Sequence, residues 1–344
     1  MATQKLRWGI LGVANINNRL LPSFARARNL ELVGIASRSL EKAQAAAKAA
    51  GIPKAYGSYE ALLDDSEIDI VYNPLPNHLH AEWTRKAADR GKHVLCEKPL
   101  TPTAAEAAEL VAYCQAKNVK LMDGFMWPHH PRTSMIRDRL AAGVIGKVRR
   151  VTSTFTFRLP CDPGNIRLQP QAAGGSLLDV GCYPVYGIRW AMSAEPVRAW
   201  ATARYEYGVD VEMTGVLWFA DGAVASFDCG FIHPHRQWLE IVGETGTIYV
   251  PEMWVPTGRP EFEVYRDGAA IQRTGAPGEQ IQHMLENFSH YVMNGAPVYP
   301  SPEDAVKTLR VLDALAQSAR EQRIIDVQGH AWRAVDGPAA NTCR

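Results

Sequence analysis

The residues of this chain best suited to chemistry follow a short apolar run, His93–Cys96, which leads into Glu97-Lys98-Pro99. The run has the composition of a strand buried on both faces of a parallel sheet. A carboxylate and an ammonium at the end of such a strand are costly to bury unless they bind something. Ligands of open α/β sheets bind beyond the carboxyl ends of the strands. We therefore expect Glu97 and Lys98 to line a binding cleft; a surface turn is the alternative interpretation.

A second pair of reactive side chains lies in a helix predicted farther along the chain. Gly174-Gly175 precede Ser176, a residue type favoured at helix N-caps, and an apolar run follows. Asp179 and Tyr183 are four residues apart, so they share one face of this helix. A core tyrosine whose hydroxyl is bonded to Asp179 is the alternative explanation of the pair.

The N-terminal third of the chain alternates strand and helix patterns. The strand-like runs are Leu6–Leu11, Leu32–Ala36, Ile68–Tyr72, His93–Cys96 and Val119–Met122, and the helical patterns between them are Ile16–Arg28, Leu40–Ala50, His80–Arg90 and Thr103–Lys117. This alternation predicts a doubly wound parallel sheet. It stops after Gly124, and strand-like runs then follow one another: Val148–Phe157, Val197–Tyr205, Met213–Phe219, Ala223–Phe231, Trp238–Val242, Thr247–Val250 and Glu261–Tyr265, with Asp221-Gly222 as a hairpin turn.

The first predicted strand leads into a turn with the residues for binding a dinucleotide. Glycine there lets the backbone approach a pyrophosphate, and the following helix N-terminus supplies amide donors. The match to G-x-G-x-x-G is partial, because Ala14 and Asn17 occupy the second and third glycine positions. A purely structural turn is the alternative, but the βαβ context favours a dinucleotide. The residues predicted to contact it are Gly12, Ala14, Asn15 and Ile16.

The end of the second predicted strand indicates which dinucleotide is bound. An NAD site usually has Asp or Glu there to bind the ribose 2′-hydroxyl. This chain has Ser37 and Arg38 instead, with Lys42 one turn later. A hydroxyl and two cations suit a 2′-phosphate, so NADP is preferred over NAD. A solvated basic helix start is the alternative, although cations at a helix N-terminus oppose its dipole.

The loop after the strand at residues 68–72 contributes a further set of predicted cofactor contacts. Two prolines make this loop rigid, and asparagine is a residue type that caps helices. We expect Asn77 to cap the following helix and His80 to lie at the cleft, although a satisfied helix histidine would explain His80 equally well. The predicted contacts are Pro74, Leu75, Asn77 and His80.

The composition excludes several classes of function. The chain has 344 residues and a formal net charge of +1, with 47% hydrophobic and 21% charged residues, so a nucleic-acid partner is not expected. Its six cysteines form no C-x-x-C pair and no metal spacing, and no metal is expected. The N-terminus lacks a signal-peptide pattern, and no apolar run approaches the ~20 residues of a membrane span. We therefore expect a reduced, cytoplasmic protein of two domains.

Taken in order along the chain, these motifs resemble the Gfo/Idh/MocA oxidoreductase family. The resemblance rests on the G-x-x-G-x-A turn, the Pro-Asn-x-x-His run at residues 76–80 and Glu97-Lys98-Pro99. It continues through Gly146-Lys147-Val148, Asn165-Ile166-Arg167, residues 174–179 and the helical pattern at 302–322. It implies a Rossmann domain over residues 1–123. A substrate-binding and oligomerisation α/β domain with a large, mostly antiparallel sheet would cover residues 124–344. The resemblance also implies a homo-oligomer, a dimer or tetramer, formed through that sheet.

The resemblance further implies roles for Lys98, Asp179 and Tyr183. A substrate C–H would transfer hydride to the nicotinamide while Tyr183 takes the hydroxyl proton. Lys98 would stabilise the phenolate and lower its pKa, which is ordinarily near ~10. Asp179 would bind the substrate hydroxyl or orient the pair. Many relatives have histidine at the Tyr183 position, and tyrosine resembles the glucose–fructose oxidoreductase and dimeric dihydrodiol dehydrogenase branches.

The substrate that the resemblance implies is a sugar or polyol, as in an aldose dehydrogenase. A trans-dihydrodiol dehydrogenase-like enzyme and a cofactor-binding sensor without turnover are the alternatives. The xylose- and dihydrodiol-dehydrogenase-like members have arginine where this chain has Pro128. Arg167 could supply the missing cation or be structural. Trp127 and His129 could line the substrate pocket, although aromatic residues after a strand usually belong to the core.

Overall fold

The first part of the chain forms a six-stranded parallel sheet in the order β3-β2-β1-β4-β5-β6. The computed structural model describes residues 5–258 and 260–327, so that residues 1–4 and Cys343 lie outside the described residues. The strands are β1 (Leu6–Leu11), β2 (Leu30–Ala36), β3 (Lys54–Tyr56), β4 (Ile70–Asn73), β5 (His93–Cys96) and β6 (Leu121–Asp123). The helices between them are α1 (Asn17–Arg26), α2 (Leu40–Ala50), α3 (Tyr59–Leu63), α4 (His80–Asp89) and α5 (Ala104–Ala116).

The predicted doubly wound sheet is confirmed, with two elements added. β3 and α3 have three and five residues, too few for hydrophobic periodicity to reveal them. The strand order reverses between β1 and β4, which creates a crevice at their carboxyl ends. The Gly12 turn follows β1 and Glu97-Lys98 follow β5, so the sheet brings the two predicted ligand-binding segments to one edge.

A second, larger sheet follows, in the order β15-β14-β13-β12-β7-β10-β9-β8-β16, with β11 paired to β7. Among the described strands of this sheet only β7 and β10 pair in parallel, so the predicted mostly antiparallel sheet is confirmed. Its strands are β7 (Val148–Arg158), β8 (Arg198–Glu206), β9 (Val209–Trp218), β10 (Val224–Gly230), β11 (Ile232–Arg236), β12 (Leu239–Gly243), β13 (Thr247–Val250), β14 (Glu261–Arg266), β15 (Ala269–Gly275) and β16 (Ile325–Asp326). The remaining helices are α6 (Pro131–Ala141), α7 (Cys182–Met192), α8 (Gln280–Met293) and α9 (Pro302–Glu321).

The two faces of the larger sheet differ in burial. Along β9, β12 and β13 every second residue is buried, and these residues pack towards α7 and α9. The residues on the opposite face of the sheet are half-buried or exposed. They include four large aromatic side chains, each half-buried: Trp200 on β8, Trp218 on β9, Trp238 just before β12 and Tyr249 on β13. No described element of the chain covers this opposite face. An aromatic face of this extent is typical of a contact surface.

Helix α8 lies late in the chain but packs on the first sheet. Its Ser289 hydroxyl accepts a hydrogen bond from Nε1 of Trp8 at 3.1 Å, and both residues are fully buried. Phe288 packs edge-on against Trp8, with ring centroids 5.9 Å apart. The chain therefore returns to cover the parallel sheet after building the larger one, which the sequence analysis did not predict.

None of the helices in the described part of the chain has both the length and the apolar composition required to span a bilayer. Five cysteines are described, all as free thiols, and Cys161 is the exposed one among them.

Candidate active site

Three charged side chains from separate segments meet at the carboxyl end of β5. The Lys98 ammonium donates hydrogen bonds to the backbone oxygen of Asp179 at 2.7 Å and to its Oδ1 at 3.3 Å. Nε of Arg167 donates to the other carboxylate oxygen of Asp179 at 2.6 Å. The Asp179 carboxylate thus lies between two cations. Since Lys98 follows the first sheet and the other two residues accompany the second, this contact joins the two parts of the fold.

The charges of this group stabilise one another. Burial by itself would raise the pKa of Asp179, but Lys98 and Arg167 outweigh it and hold that pKa below its ordinary value. Burial likewise opposes the charge of Lys98, yet Tyr183 and Asp179 raise its pKa above the ordinary value. Asp179 is therefore a carboxylate and Lys98 an ammonium at neutral pH. An ionised Asp179 bonded to two cations is better suited to hold Lys98 in place than to accept a proton.

Tyr183 lies beside Lys98 in an aromatic pocket. The Lys98 ammonium is 4.9 Å from the centroid of the phenol ring, within cation–π distance. Three aromatic rings pack around Tyr183: Phe125 and Phe155, each with its centroid at 5.1 Å, and Trp254 at 5.9 Å. Among the described residues none hydrogen-bonds to the Tyr183 hydroxyl, so the alternative of a hydroxyl bonded to Asp179 is wrong. The phenol oxygen is left able to bond to a substrate.

The protonation state of Tyr183 differs from the expectation. Burial raises the pKa of the phenol above its ordinary value, and Lys98 opposes that rise without overcoming it. The expected net lowering by lysine is thus wrong, because the aromatic pocket disfavours the phenolate more than one cation favours it. The phenol is neutral at pH 7 and can donate a proton.

The helix that carries Asp179 and Tyr183 begins differently from the prediction. Ser176 already has helical backbone angles (φ −71°, ψ −32°) and accepts no capping bond, so its predicted N-cap role is wrong. Its hydroxyl instead donates to Asp210 at 2.7 Å. Residues Leu177–Gly181 form one π-helical turn before α7. π-Turns are frequent at functional sites, and this one contains Asp179.

The turn after β1 has the geometry of a phosphate-binding loop. Gly12 has φ +97°, and a Cβ there would lie 3.1 Å from Leu75, so the position requires glycine. Ala14, Asn15 and Ile16 lead from it into α1, whose first turn has no side-chain cap. The first amides of α1 donate to the oxygens of these three residues, whereas the amides of Ala14, Asn15 and Ile16 have no acceptor among the described residues and are available to a pyrophosphate. Asn17, at the third glycine position of the motif, donates from its side-chain amide to the oxygen of Gly12 at 2.9 Å.

The residues after β2 fit a phosphorylated ribose. Ser39 caps α2 by accepting from the Lys42 amide at 3.3 Å, and the Ser37 hydroxyl oxygen accepts from the Ser39 amide. Arg38 and Lys42 are exposed, and neither forms an ion pair with a described carboxylate. The charge of Arg38 also acts on the Tyr59 hydroxyl, whose pKa it lowers against the larger rise caused by burial; Tyr59 lies on α3, which the sequence did not predict. Two unpaired cations at this place fit the 2′-phosphate of NADP.

His80 is not at the cofactor cleft, which corrects the expectation. Its ring is fully buried, with one nitrogen 2.9 Å from the oxygen of Pro99 and the other 2.6 Å from the oxygen of Leu75. Burial lowers the pKa of His80 to about 4, so the ring is neutral at pH 7 and donates to one of the two oxygens. His80 thus connects the loop after β4 to the turn that contains Lys98, as the satisfied-histidine alternative held.

Asn77 also differs from the prediction. Its side-chain amide donates to the oxygen of Ala173 at 2.9 Å, whereas α4 has no side-chain cap. The bond crosses from the loop after β4 to the segment between Arg167 and Asp179. Pro74 and Leu75 lie in that same loop, and Leu75 covers the Gly12 turn.

Glu97 lies at the base of the cleft. Its Oε1 accepts from the Tyr72 hydroxyl at 2.7 Å, and burial raises the pKa of its carboxyl. Asp123, at the end of β6, is a buried neighbour that the sequence analysis did not single out. Burial, followed by the charge of Glu97, raises the pKa of Asp123 well above its ordinary value.

Trp127 and His129 lie in the core, which corrects their assignment to the substrate pocket. Trp127 is fully buried, and its ring packs against Tyr186, Trp190 and Trp254. Nδ1 of His129 is 3.1 Å from the side-chain amide of Asn287 on α8. Both belong to the short helical turn Trp127–His129, with the buried Pro128 between them. Trp127 is thus connected to Tyr183 through other rings, such as Trp254, which contacts Tyr183 directly.

The described residues contain no group of three or more His, Cys, Asp or Glu side chains that could hold a metal ion.

Comparison with protein families agrees with this arrangement. Residues 6–125 match the model of an oxidoreductase family with an NAD-binding Rossmann fold, Gfo/Idh/MocA, and residues 133–249 match the C-terminal domain of the same family. The chain belongs to the Gfo/Idh/MocA oxidoreductase family. Its similarity to the three members described next extends over nearly the whole length of each.

Two of the similar proteins are a sugar dehydrogenase and a ketoreductase. The D-xylose 1-dehydrogenase (NADP(+)) 2 of Haloferax volcanii is 40% identical over 326 residues, which is 94% of this chain and 100% of that protein. The crystal structure of a 3-ketoreductase from Actinomadura kijaniata, in complex with NADP and TDP-benzene, has a TM-score of 0.85 at 32% identity. That match covers 92% of this chain and 98% of the ketoreductase.

A third similar structure is the aldose-aldose oxidoreductase from Caulobacter crescentus, complexed with glycerol. It has a TM-score of 0.87 at 28% identity and covers 94% of this chain and 100% of its own.

The ion pairs of Asp179 with Lys98 and Arg167 predict an effect on the free energy of unfolding. We expect Asp179→Asn to lower the free energy of unfolding by about 3 kcal/mol, because it leaves the largely buried Lys98 without its carboxylate. Urea denaturation followed by circular dichroism measures the change. Glu244→Gln is the matched control, since it breaks an exposed ion pair with Arg149, which is expected to contribute at most about 1 kcal/mol. Equal losses in the two variants would contradict this account.

Proposed function

We propose that this protein is an NADP-dependent oxidoreductase. It transfers hydride between the nicotinamide and a hydroxyl or carbonyl carbon of a sugar or polyol. The observation that carries the proposal is the Tyr183 hydroxyl, which has no hydrogen-bond partner in the described part of the chain, beside a Lys98 ammonium fixed by Asp179 at the end of β5. The sugar substrates of the similar proteins support the substrate class.

The roles of the residues follow from their charges. NADPH, when bound, supplies the hydride, and NADP+ accepts it in the reverse direction. Tyr183, neutral at pH 7, donates its proton to the substrate oxygen in reduction; in oxidation its phenolate form, which Lys98 favours, takes the proton from the hydroxyl. Lys98 stabilises the phenolate that forms, since its ammonium lies within cation–π distance of the ring. Asp179 and Arg167 keep the ammonium in place, and the exposed part of Arg167 can contact substrate hydroxyls.

The segments expected to bind the cofactor each suit a different part of NADP. The Gly12 turn, with Ala14, Asn15 and Ile16, suits a pyrophosphate; Arg38 and Lys42 suit a 2′-phosphate. Leu75 and Pro74 would pack against the dinucleotide, and Glu97 would border the nicotinamide. NADP is the cofactor of the xylose dehydrogenase and is bound in the ketoreductase structure.

A substrate panel tests the proposed activity. The purified protein, with NADP+ or NADPH, is assayed against aldoses, polyols, keto sugars and a cyclic trans-diol by the absorbance of the reduced nicotinamide. Turnover of a sugar or polyol at the highest kcat/KM supports the proposal. A preference for the cyclic diol would favour the dihydrodiol dehydrogenase alternative. Cofactor binding in native mass spectrometry with turnover of no compound would favour a sensor.

The role of Tyr183 predicts a specific kinetic defect. We expect Tyr183→Phe to lower kcat by about 10²- to 10⁴-fold, because the ring and its packing remain but the proton donor is lost. Steady-state kinetics and a fluorescence titration with NADPH measure the two effects. NADPH affinity should stay within about twofold, since the cofactor contacts are elsewhere. Tyr186→Phe, in the adjacent turn of the same helix, is the control and should keep most of the activity. Unchanged turnover in Tyr183→Phe would refute the proposed role.

The two cations after β2 predict cofactor preference. We expect the double variant Arg38→Ala, Lys42→Ala to weaken NADP+ binding by about tenfold or more, because each charged hydrogen bond to phosphate contributes about 1.5–3 kcal/mol. The KM for NAD+ should change little, so the ratio of the two kcat/KM values is the measurement. Lys48→Ala, at the far end of α2, is the control. An equal loss for both cofactors would show that the pair does not recognise the 2′-phosphate.

The open aromatic face of the larger sheet also supports a proposal. We propose that it joins copies of this chain into a homo-oligomer, a dimer or tetramer. We expect Trp218→Glu to shift the molecular mass in light scattering towards the monomer, because a charge would be buried in the contact. Leu40→Glu, an exposed apolar position on α2, is the control and should leave the mass unchanged. A wild-type monomer at micromolar concentration would refute the interface.

We further propose a cytoplasmic location, which the free thiols of the described cysteines support. We also propose a division of the chain near residue 123 into a cofactor-binding and a substrate-binding domain. The return of α8 to the first sheet means that this division is not complete in three dimensions.

A further inference from the structure

Asp210 lies against the first turn of the helix that carries Asp179 and Tyr183. It belongs to the start of β9, far from both residues in sequence. One oxygen of its carboxylate accepts from the Ser176 hydroxyl at 2.7 Å and from the Leu177 amide at 2.6 Å. The Leu177 amide is one of the first-turn donors that have no partner within a helix. Asp210 therefore performs the capping that Ser176 was predicted to perform.

The glycines before Ser176 make this contact possible. Gly175 has φ +113°, and a Cβ there would collide with Oδ1 of Asp210. Its amide donates to the oxygen of Arg167 at 2.9 Å, and its own oxygen accepts from the Asp179 amide at 3.2 Å. The backbone from Arg167 to Asp179 is thus connected at Gly175, directly beside the Asp210 carboxylate.

We propose that Asp210 is a positioning residue for the reaction, which sets the π-helical turn so that Asp179 reaches Lys98 and Tyr183 faces the substrate. This inference rests on the proposed function. A carboxylate at a helix N-terminus is stabilised by the helix dipole, and here it replaces a local cap with one from the larger sheet. Burial raises the pKa of Asp210 to about 6, so the group is ionised at neutral pH and can accept both bonds.

A charge-specific variant tests the inference. We expect Asp210→Asn to lower kcat by about tenfold or more, because a shift of about 1 Å in a catalytic group can cost 10²-fold in rate. The KM for NADPH should stay within about twofold, since the cofactor contacts lie on the first sheet. Asp210→Ala should lose more activity than Asp210→Asn, which retains one acceptor oxygen. Glu212→Gln, on the same strand but bonded to His233, is the matched control and should retain wild-type kcat.

Hydrogen exchange provides a readout that does not depend on turnover. In the NADPH-bound protein we expect amides of residues 176–183 to exchange about tenfold faster in Asp210→Asn, while those of β1 and β4 are unchanged. Wild-type exchange at 176–183, or an equal increase in Glu212→Gln, would overturn the positioning role. Should the wild-type protein turn over no substrate, the proposed function fails, and the exchange data still decide whether Asp210 fixes this turn. Faster exchange in Asp210→Asn with a wild-type kcat would also overturn the inference, because the order of this turn would then not affect the reaction.

Discussion

The position of one carboxylate, that of Asp179, determines how the two parts of this molecule form a site. It lies between the Lys98 ammonium and the Arg167 guanidinium, and all three groups are largely shielded from water or border the cleft. A buried ion pair stabilises little by itself, because desolvation offsets attraction. The Asp179 carboxylate instead restricts how the two parts of the fold can be arranged. If the helix with Asp179 moved away, the positive charges of Lys98 and Arg167 would lose the carboxylate that neutralises them. The relative placement of the two sheets is thereby coupled to the placement of the reactive groups.

Several further contacts fix the Lys98 turn and the segment from Arg167 to Asp179. His80 connects the loop after β4 to the Lys98 turn, and Asn77 extends from that loop to Ala173. Asp210 fixes the far end of the segment through Leu177. The loop from Arg167 to Asp179 is therefore bonded both to the cofactor-binding sheet and to the larger sheet. Such fixation is what a reaction that depends on hydride geometry requires.

Most of the fold and part of the site could be predicted from the sequence. Alternating strand and helix patterns predicted the parallel sheet, and Lys98 and Asp179 could be selected because charges were out of place beside apolar runs. His80, Asn77, Trp127 and His129 were placed wrongly for one physical reason. A polar or aromatic side chain can be satisfied by a backbone carbonyl or a core neighbour distant in sequence, and such partners leave no local pattern. Asp210 was missed similarly, since a cap supplied from another element cannot be read from spacing.

The burial of Tyr183 explains how a phenol and an ammonium can cooperate here. Phe125, Phe155 and Trp254 exclude water from the ring, which keeps the phenol protonated and also removes the solvent that would screen Lys98. Lys98 consequently affects a developing phenolate more strongly than it would at a surface. In the proposed reaction, the aromatic pocket would thus favour the neutral acid before proton transfer, and Lys98 would stabilise the anion after it.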